Sequence, residues 1–193
     1  MKKGEIRDVR LGVETETRSK RGFTIIEVVL VLGIAGLIFL MVFVALPALQ
    51  RSQRDTQRRE DVTKLVSAVK DYQSNNRGAL PSGTGTVSYS ANASGTTWAG
   101  LYHDYLGENF IDPDGTGEDG TGYKLSIVNC KGKEGEACTN AQISNTTSFP
   151  NGYKMLVAIE AECQGEQTVK VGNPRKLAVV YKLEGGGVYC SNT

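Results

Sequence analysis

An uninterrupted apolar run from Val28 to Leu46 constrains this chain more than any other feature of its sequence. The run contains no charged and no strongly polar side chain. As an α-helix it would extend about 28 Å, which is close to the hydrocarbon thickness of a lipid bilayer. The run therefore predicts a membrane-spanning helix, and it excludes a purely soluble cytosolic protein.

The segments on the two sides of this run differ in composition. Residues 1–22 carry seven Lys/Arg and four Asp/Glu with almost no apolar periodicity, which predicts a disordered leader. Residues 76–193 hold 18 of the 23 glycines and are rich in Ser, Thr and Asn. This composition predicts that the globular head, which we place at 77–193, is mostly β. The net charge of the whole chain is +1, which does not indicate a nucleic-acid-binding protein.

A long helix is predicted to connect the apolar run to the head. Residues 50–61 are polar but rich in helix-forming residues, and the apolar residues that follow recur at spacings of three and four. These residues are Val62, Leu65, Val66, Val69 and Tyr72. Asn75 and Gly78 then indicate the helix end. We therefore predict one helix of about 50 residues, with a membrane-spanning first half at 23–50 and an amphipathic continuation at 51–76.

Alternating apolar residues predict strands in the head. The alternation is clearest at 123–127, 153–161 and 177–183, and Val169 with Val171 indicates a further short strand. We expect an antiparallel meander with one face packed on the apolar stripe of the helix. The predicted fold class is therefore α+β.

All four cysteines lie beyond the apolar run, at gaps unlike the paired short spacings of zinc sites. Disulfides formed in an oxidising compartment are the better interpretation. Of the three possible connectivities we predict Cys130 with Cys138 and Cys163 with Cys190, because each pair joins the ends of neighbouring strand candidates.

The junction before the apolar run has an unusual set of residues. Lys20, Arg21 and Gly22 stand directly before Phe23, and Glu27 is the only charge in the apolar stretch that follows. A carboxylate left in hydrocarbon costs at least a few kcal/mol, so Glu27 needs a partner or a proton. Snorkelling of Glu27 to the membrane interface would explain why it is tolerated, but it leaves the small Gly22 and the basic pair unexplained.

Residues 20–40, KRGFTIIEVVLVLGIAGLIFL, resemble the class III signal peptide of type IV pilins and of the pseudopilins of type II secretion systems. The resemblance lies in a basic leader that ends in glycine, an aromatic residue, a threonine and a glutamate at the fifth position after the cut. It implies the pilin fold, in which a long N-terminal helix packs on a C-terminal antiparallel sheet.

The resemblance also implies how the chain is processed. A prepilin peptidase would cut between Gly22 and Phe23 on the cytoplasmic side and would methylate the new amino terminus at Phe23. Glu27 would then pair with the N-terminal amine of a neighbouring subunit during filament assembly. The pair Cys163–Cys190 resembles the disulfide that closes the C-terminal region of many pilin heads.

The function implied by the resemblance is polymerisation. We expect a structural subunit of a type IV pilus, a helical homopolymer that serves cell adhesion, twitching motility or DNA uptake and is built by the pilus assembly machinery. Before assembly the chain would be a single-pass protein of the cytoplasmic membrane, with the leader in the cytoplasm and the head outside. Afterwards it would be part of an extracellular filament.

Two other functions stay open. A type II secretion pseudopilin is the first alternative, and a membrane-anchored ligand-binding module is the second. The sequence contains no GxSxG, HExxH or P-loop motif, so we do not expect an enzyme.

A short acidic segment leaves one metal site open. Asp112, Asp114, Thr116 and Glu118 place oxygen-bearing side chains at alternate positions around a glycine, as at the start of a calcium loop. The closing position is Tyr123, so the bidentate glutamate of such a loop is missing. We favour a bare acidic turn, keep calcium as the alternative, and expect no other cofactor.

Arg51, Arg54, Arg58 and Arg59 form a basic group just beyond the apolar run. Anionic lipid head groups or DNA could be partners of such a group. Acidic residues are interleaved with these arginines, and no aromatic stacking partner accompanies them in the sequence. We therefore predict a solvated helix face, with DNA binding unsupported.

Overall fold

The computed structural model describes four stretches of the chain, residues 22–107, 110–113, 122–138 and 153–193. Apart from Gly22, the predicted leader lies outside the described residues. The chain divides into two compact units, Met1–Val44 and Ala45–Thr193.

One helix, α1 (Ile25–Asn75), begins in the first unit and ends in the second. It contains an 18-residue window with a mean hydropathy of 3.1, and no residue of that window is buried. By length and composition this segment can cross a membrane. Pro47 lies inside α1, where its ring nitrogen has no hydrogen to donate to the helix.

The end of α1 agrees with the prediction from Asn75 and Gly78. The Gly78 N–H donates to the Gln73 carbonyl at 2.7 Å, and Arg77 between them has a φ of 56°. A hydrogen bond of this span closes a helix around one residue in the left-handed conformation, which is usually glycine. Arginine takes that conformation here, so the turn after α1 contains a strained residue.

The described part of the head contains seven strands. They are β1 (Gly85–Val87), β2 (Lys124–Asn129), β3 (Tyr153–Ile159), β4 (Ala161–Gln164), β5 (Gln167–Lys170), β6 (Leu177–Lys182) and β7 (Val188–Asn192). Five of them form one sheet in the order β1-β2-β3-β6-β7, while β4 and β5 form a separate hairpin. The three alternating segments of the sequence correspond to β2, β3 and β6, and the short strand predicted at Val169 corresponds to β5.

The predicted α+β class is confirmed, but the antiparallel meander is wrong at one place. β2 and β3 pair in parallel, with Leu125 opposite Met155, whereas the other neighbouring strands of the sheet are antiparallel. Parallel neighbours need a crossover connection of a dozen or more residues, and residues 130–152 provide it. Alternation looks the same for both directions of pairing, so the sequence pattern could not distinguish them.

The sheet is buried on both faces. One face packs on the apolar stripe of α1, as predicted, and the helix contributes Val62, Leu65 and Val69 to that core. The strand residues in this core are Leu125, Ile127, Met155, Val157, Leu177, Val179 and Tyr181. Their alternating neighbours Leu156, Ala158, Ala178 and Val180 form a second core on the opposite face, and Ala161 of β4 joins it.

A short helical segment between β1 and β2 adds to the first core. It consists of α2 (Trp98–Leu101) and a π-helical turn (Tyr102–Leu106). Trp98 and Tyr102 are almost completely buried in the first core. Trp98, Leu101 and Tyr102 therefore belong to the first core.

All four cysteines of the head are bonded. Cys130 is joined to Cys138, and Cys163 to Cys190, which is the same connectivity as the predicted one. Because Cys163 lies in β4 and Cys190 in β7, the second bond ties the separate hairpin to the last strand of the main sheet.

Candidate functional site

The residues predicted to be processed lie at the start of α1. Gly22, Phe23 and Thr24 precede the first helical residue, and all three are exposed. The Thr24 N–H and hydroxyl each donate to Glu27 Oε2 at 2.8 Å, and the Glu27 N–H donates to the Thr24 hydroxyl oxygen at 3.3 Å. This reciprocal pattern is a capping box, which satisfies N–H groups that a helix leaves unpaired at its start. Glu27 therefore has a structural role within its own chain, beside the assembly role predicted for it.

The bond predicted to be cut is accessible. Phe23 is 88% exposed, and a Cβ added at Gly22 would meet no described atom within 4 Å. Because α1 begins at Ile25, the peptide bond between Gly22 and Phe23 lies outside the helix. Exposed segments without helical hydrogen bonds are the sites at which proteases cut, so the junction is compatible with cleavage.

A continuous apolar surface follows this junction, from Phe23 to Leu49. Apart from Ile111, every exposed large hydrophobic side chain in the described part of the chain lies in this range. Glu27 is the only charged residue in the range. Exposed apolar surfaces of this size mark regions that contact a membrane or another protein. This segment can therefore serve as a membrane anchor and as a surface on which other helices pack.

Arg58 is the centre of a buried polar cluster in the second unit. Its side chain is 2% exposed and forms ion pairs with Asp112 at 2.8 Å, with Asp55 at 3.2 Å and with Glu184. We refer to these four residues as the Arg58 cluster. The prediction that Arg58 lies on a solvated helix face is wrong. Its burial is tolerated because three carboxylates compensate the charge.

Further hydrogen bonds hold the carboxylates of the Arg58 cluster. The Asp112 carboxylate accepts a hydrogen bond from the Tyr181 hydroxyl at 2.8 Å. The Asp55 carboxylate accepts from the backbone N–H groups of Glu184 and Gly185, at 2.9 and 2.8 Å. The cluster therefore connects α1 with β6, with the turn after β6, and with the acidic segment before β2.

A second buried contact lies further along α1. The Tyr123 hydroxyl donates to the Asp61 carboxylate at 2.9 Å, and Lys64 Nζ donates to the other oxygen of that carboxylate at 2.9 Å. The Tyr102 hydroxyl lies within hydrogen-bond distance of the Phe110 and Tyr123 carbonyl oxygens, at 3.2 and 3.0 Å. Burial raises the pKa of both Tyr102 and Tyr123, so both hydroxyls stay protonated and can donate.

The ion pairs of the Arg58 cluster keep Arg58 and Glu184 ionised. Burial by itself lowers the pKa of Arg58, but hydrogen bonds to Asp112 and attraction by neighbouring groups outweigh burial and raise it. Arg54 binds Glu184 through two nitrogens, with Nη2 at 2.7 Å from Oε2 and Nε at 3.1 Å from Oε1. These hydrogen bonds, together with those from Arg58, lower the pKa of Glu184 to about 2.

We expect Glu184 to make the stability of the chain depend on pH in the acidic range. Its pKa is lower in the folded state than its ordinary value of 4.5, so its contribution is fully present above pH 4.5 and is lost as the pH falls toward 2. The side chains of Arg54 and Glu184 are 30% and 28% exposed, so solvent screening limits this contribution to roughly 1 kcal/mol. Urea unfolding should show a difference between the native chain and Glu184→Gln that shrinks to near zero at about pH 2. A difference that does not change with pH would contradict the assignment.

The calcium alternative falls mostly outside the described residues. Asp114, Thr116 and Glu118 are not among them, and Asp112 is only 5% exposed within the Arg58 cluster. Among the residues that the structure describes, no group of three or more His, Cys, Asp and Glu side chains is placed to hold a metal ion. Calcium at these four positions stays the alternative to a bare acidic turn, and Asp112 could join it only in competition with Arg58.

The remaining arginines of the basic group have different surroundings. Arg54 is bound to Glu184, whereas Arg51 and Arg59 are exposed, as predicted for a solvated face. The Arg59 guanidinium lies 5.5 Å from the centre of the Tyr189 ring. The expectation that no aromatic side chain accompanies the arginines is therefore wrong, because the fold brings Tyr189 to them from β7.

The buried polar residues of α1 were not predicted, although the sequence contains a signal for them. The apolar stripe includes Val62, Leu65 and Val69, at spacings of three and four. Extending this spacing backward from Val62 gives Arg58 and then Asp55. Residues that continue an apolar stripe face the core, so polar residues at these positions need buried partners.

The capping box, the accessible junction and the exposed apolar helix together indicate a membrane-anchored precursor. Residues 17–43 match the family model of the prokaryotic N-terminal methylation motif. This motif is the class III signal peptide of type IV pilins and pseudopilins, and the chain carries it. It implies processing by a prepilin peptidase. Searches among curated proteins and among solved structures found no match.

Proposed function

We propose that this chain is the structural subunit of a type IV pilus. The observation that carries the proposal is the apolar surface from Phe23 to Leu49, which is exposed and begins with a prepilin-type junction. Such a surface needs lipid or other helices around it. A precursor in the cytoplasmic membrane, and then a filament with these helices in its core, meet that need in succession. The two disulfides support a head outside the cytoplasm.

Cleavage between Gly22 and Phe23 provides the charge that Glu27 needs. The prepilin peptidase cuts on the cytoplasmic side and methylates the new α-amino group of Phe23. The α-amino group has a reference pKa of about 8, so it is largely cationic at neutral pH. It neutralises the Glu27 carboxylate of a neighbouring subunit inside the filament, where an unpaired charge would be costly.

In the unassembled subunit, the capping box provides hydrogen bonds to the Glu27 carboxylate before the amine of a neighbouring subunit is available. The Thr24 N–H and hydroxyl satisfy one oxygen of the Glu27 carboxylate within the same chain. Assembly then adds an ion pair between subunits, and the ion pair forms only when neighbouring helices are in the correct register. The costly charge thus specifies how subunits align.

Electron microscopy of cells with and without this chain separates the pilus from the pseudopilin alternative. A pilus subunit predicts surface filaments at native expression that disappear when the chain is deleted, while protein secretion is unchanged. A type II secretion pseudopilin predicts loss of secreted proteins and no surface filaments at native expression. If deletion changes neither filaments nor secretion, the membrane-anchored ligand-binding module is favoured.

A further inference from the structure

The four arginines that follow the apolar run fall into two kinds. Arg54 and Arg58 are held by ion pairs with Glu184 and with the other carboxylates of the Arg58 cluster. Arg51 and Arg59 are exposed, and neither has an ion-pair partner within the part of the chain that the structure describes. The spacing of the apolar stripe distinguishes Arg58 in the sequence, but the ion pair of Arg54 with Glu184 is seen only in the fold.

Arg51 and Arg59 line one cavity of about 600 Å³ beside the turn that follows β6. Ser52 and Asp55 also line it. Asp55 contributes no free negative charge, because Arg58 and two backbone N–H groups already bind its carboxylate. The cavity is therefore positively charged, and it has a serine hydroxyl at its wall.

The cavity lies where the apolar surface ends. Ala48 lines it, between the exposed side chains of Leu46 and Leu49. At 1.5 Å per residue, Arg51 lies about 3 Å beyond Leu49 along the helix axis. The polar layer of a bilayer is roughly 5–7 Å thick on each side of the hydrocarbon. When the apolar run, which ends at Leu46, spans the hydrocarbon, Arg51 lies about 8 Å beyond its edge, at the outer side of the lipid head groups.

We propose that this cavity binds the phosphate group of an anionic phospholipid on the head side of the membrane. Arg51 binds the phosphate at the level of the head groups, and Ser52 supplies a hydroxyl donor. Arg59 lies eight residues, or about 12 Å, further along α1, so it adds a second positive charge from the outer part of the cavity. The acyl chains of the same lipid lie against Leu46 and Leu49. These apolar contacts favour a lipid over a free phosphate ion. The inference rests on the membrane-anchored state of the proposed function.

The test uses the full chain in detergent micelles and native mass spectrometry. The probes are phosphatidylglycerol and phosphatidylcholine with identical acyl chains. Arg51 beside the phosphate, with a smaller contribution from the more distant Arg59, should make phosphatidylglycerol bind at least about fivefold more tightly than phosphatidylcholine. Arg51→Gln combined with Arg59→Gln should remove this preference, whereas Arg51→Lys with Arg59→Lys should keep most of it, because the positive charges remain. Lys70→Gln is the matched control, since Lys70 is exposed on α1 but does not line the cavity.

Several results would overturn the inference. Equal binding of the two lipids by the native chain, or an unchanged preference in the double glutamine variant, would each do so. Displacement of phosphatidylglycerol by excess inorganic phosphate would show a site for free anions. A self-association that the double variant loses, without any lipid preference, would assign the arginines to a contact with a second copy.

Two further readouts separate lipid binding from a structural role of the arginines and from filament assembly. The fluorescence of Trp98, which is 1% exposed, should report the same melting temperature for the native chain and the double glutamine variant, because both arginines are exposed. A large fall would overturn a binding role and indicate a structural one. If the double glutamine variant loses the lipid preference but assembles filaments normally, the proposed function stands. If a Glu27→Gln variant assembles normally, the proposed function is weakened, but the lipid site is not affected.

Discussion

Replacing Arg58 with alanine is expected to destabilise the chain by about 3–5 kcal/mol, because it leaves buried carboxylates without their cation. Asp112 and Asp55 are almost completely buried and both face the Arg58 guanidinium, at 2.8 and 3.2 Å. Urea unfolding of the full chain in detergent, followed by the fluorescence of Trp98, measures the loss. Trp98 is the only tryptophan and lies in the core, so its signal reports the head.

Two variants serve as comparisons for Arg58→Ala. Arg58→Lys keeps the charge but cannot present two parallel N–H groups to Asp112, so an intermediate loss is expected. Lys70→Ala removes an exposed cation from the same helix and should change the unfolding free energy by less than about 0.5 kcal/mol. An Arg58→Ala loss as small as that of Lys70→Ala would show that the cluster does not hold the acidic segment to α1.

Replacing Glu27 with glutamine is expected to reduce filament yield at least about tenfold while leaving membrane insertion intact, if the carboxylate pairs with the amine of a neighbouring subunit. Glutamine can keep the capping box with Thr24 but carries no charge. Insertion should not suffer, because the substitution removes a charge that is costly in hydrocarbon. Sheared filaments and membrane fractions, quantified from the same cells, provide the two measurements.

Thr24→Ala is the matched control for Glu27→Gln, because it removes both hydrogen bonds of the Thr24 hydroxyl in the capping box and keeps the charge of Glu27. Its cost to the helix start should be about 1 kcal/mol, and filaments should still form. If Glu27→Gln assembles as the native chain does while Thr24→Ala fails, Glu27 acts through the helix start and not through an amine.

The features that could be predicted from the sequence depend on local patterns. The end of α1 and the positions of β2, β3 and β6 follow from periodicity within each segment. The Arg58 cluster could not be predicted in the same way, because its partners come from distant parts of the chain. Arg58 and Asp112 are 54 residues apart, and Asp55 and Glu184 are 129 apart. A polar stretch gives no indication of which residues the fold will bring to it.

At the start of α1, a local pattern that was present in the sequence was not used for the prediction. The role of Glu27 was inferred from a resemblance and from the cost of its charge. The resemblance and the cost both concern a contact with a neighbouring subunit and not a contact within the chain. The spacing of Thr24 and Glu27 also matches the capping box, in which a threonine is followed three residues later by a glutamate. That local pattern was present in the sequence, and the hydrogen bonds between the two residues follow from it.

The intact mass and N-terminal peptide of the chain purified from its own membranes test its processing as a pilin precursor directly. We predict a chain that lacks residues 1–22, begins at Phe23 and carries one methyl group on its amino terminus. The exposed junction at Gly22 and the methylation motif at residues 17–43 support this expectation. A native protein that begins at Met1, or one that begins beyond Ala48, would contradict processing at this junction and the filament assembly that depends on it.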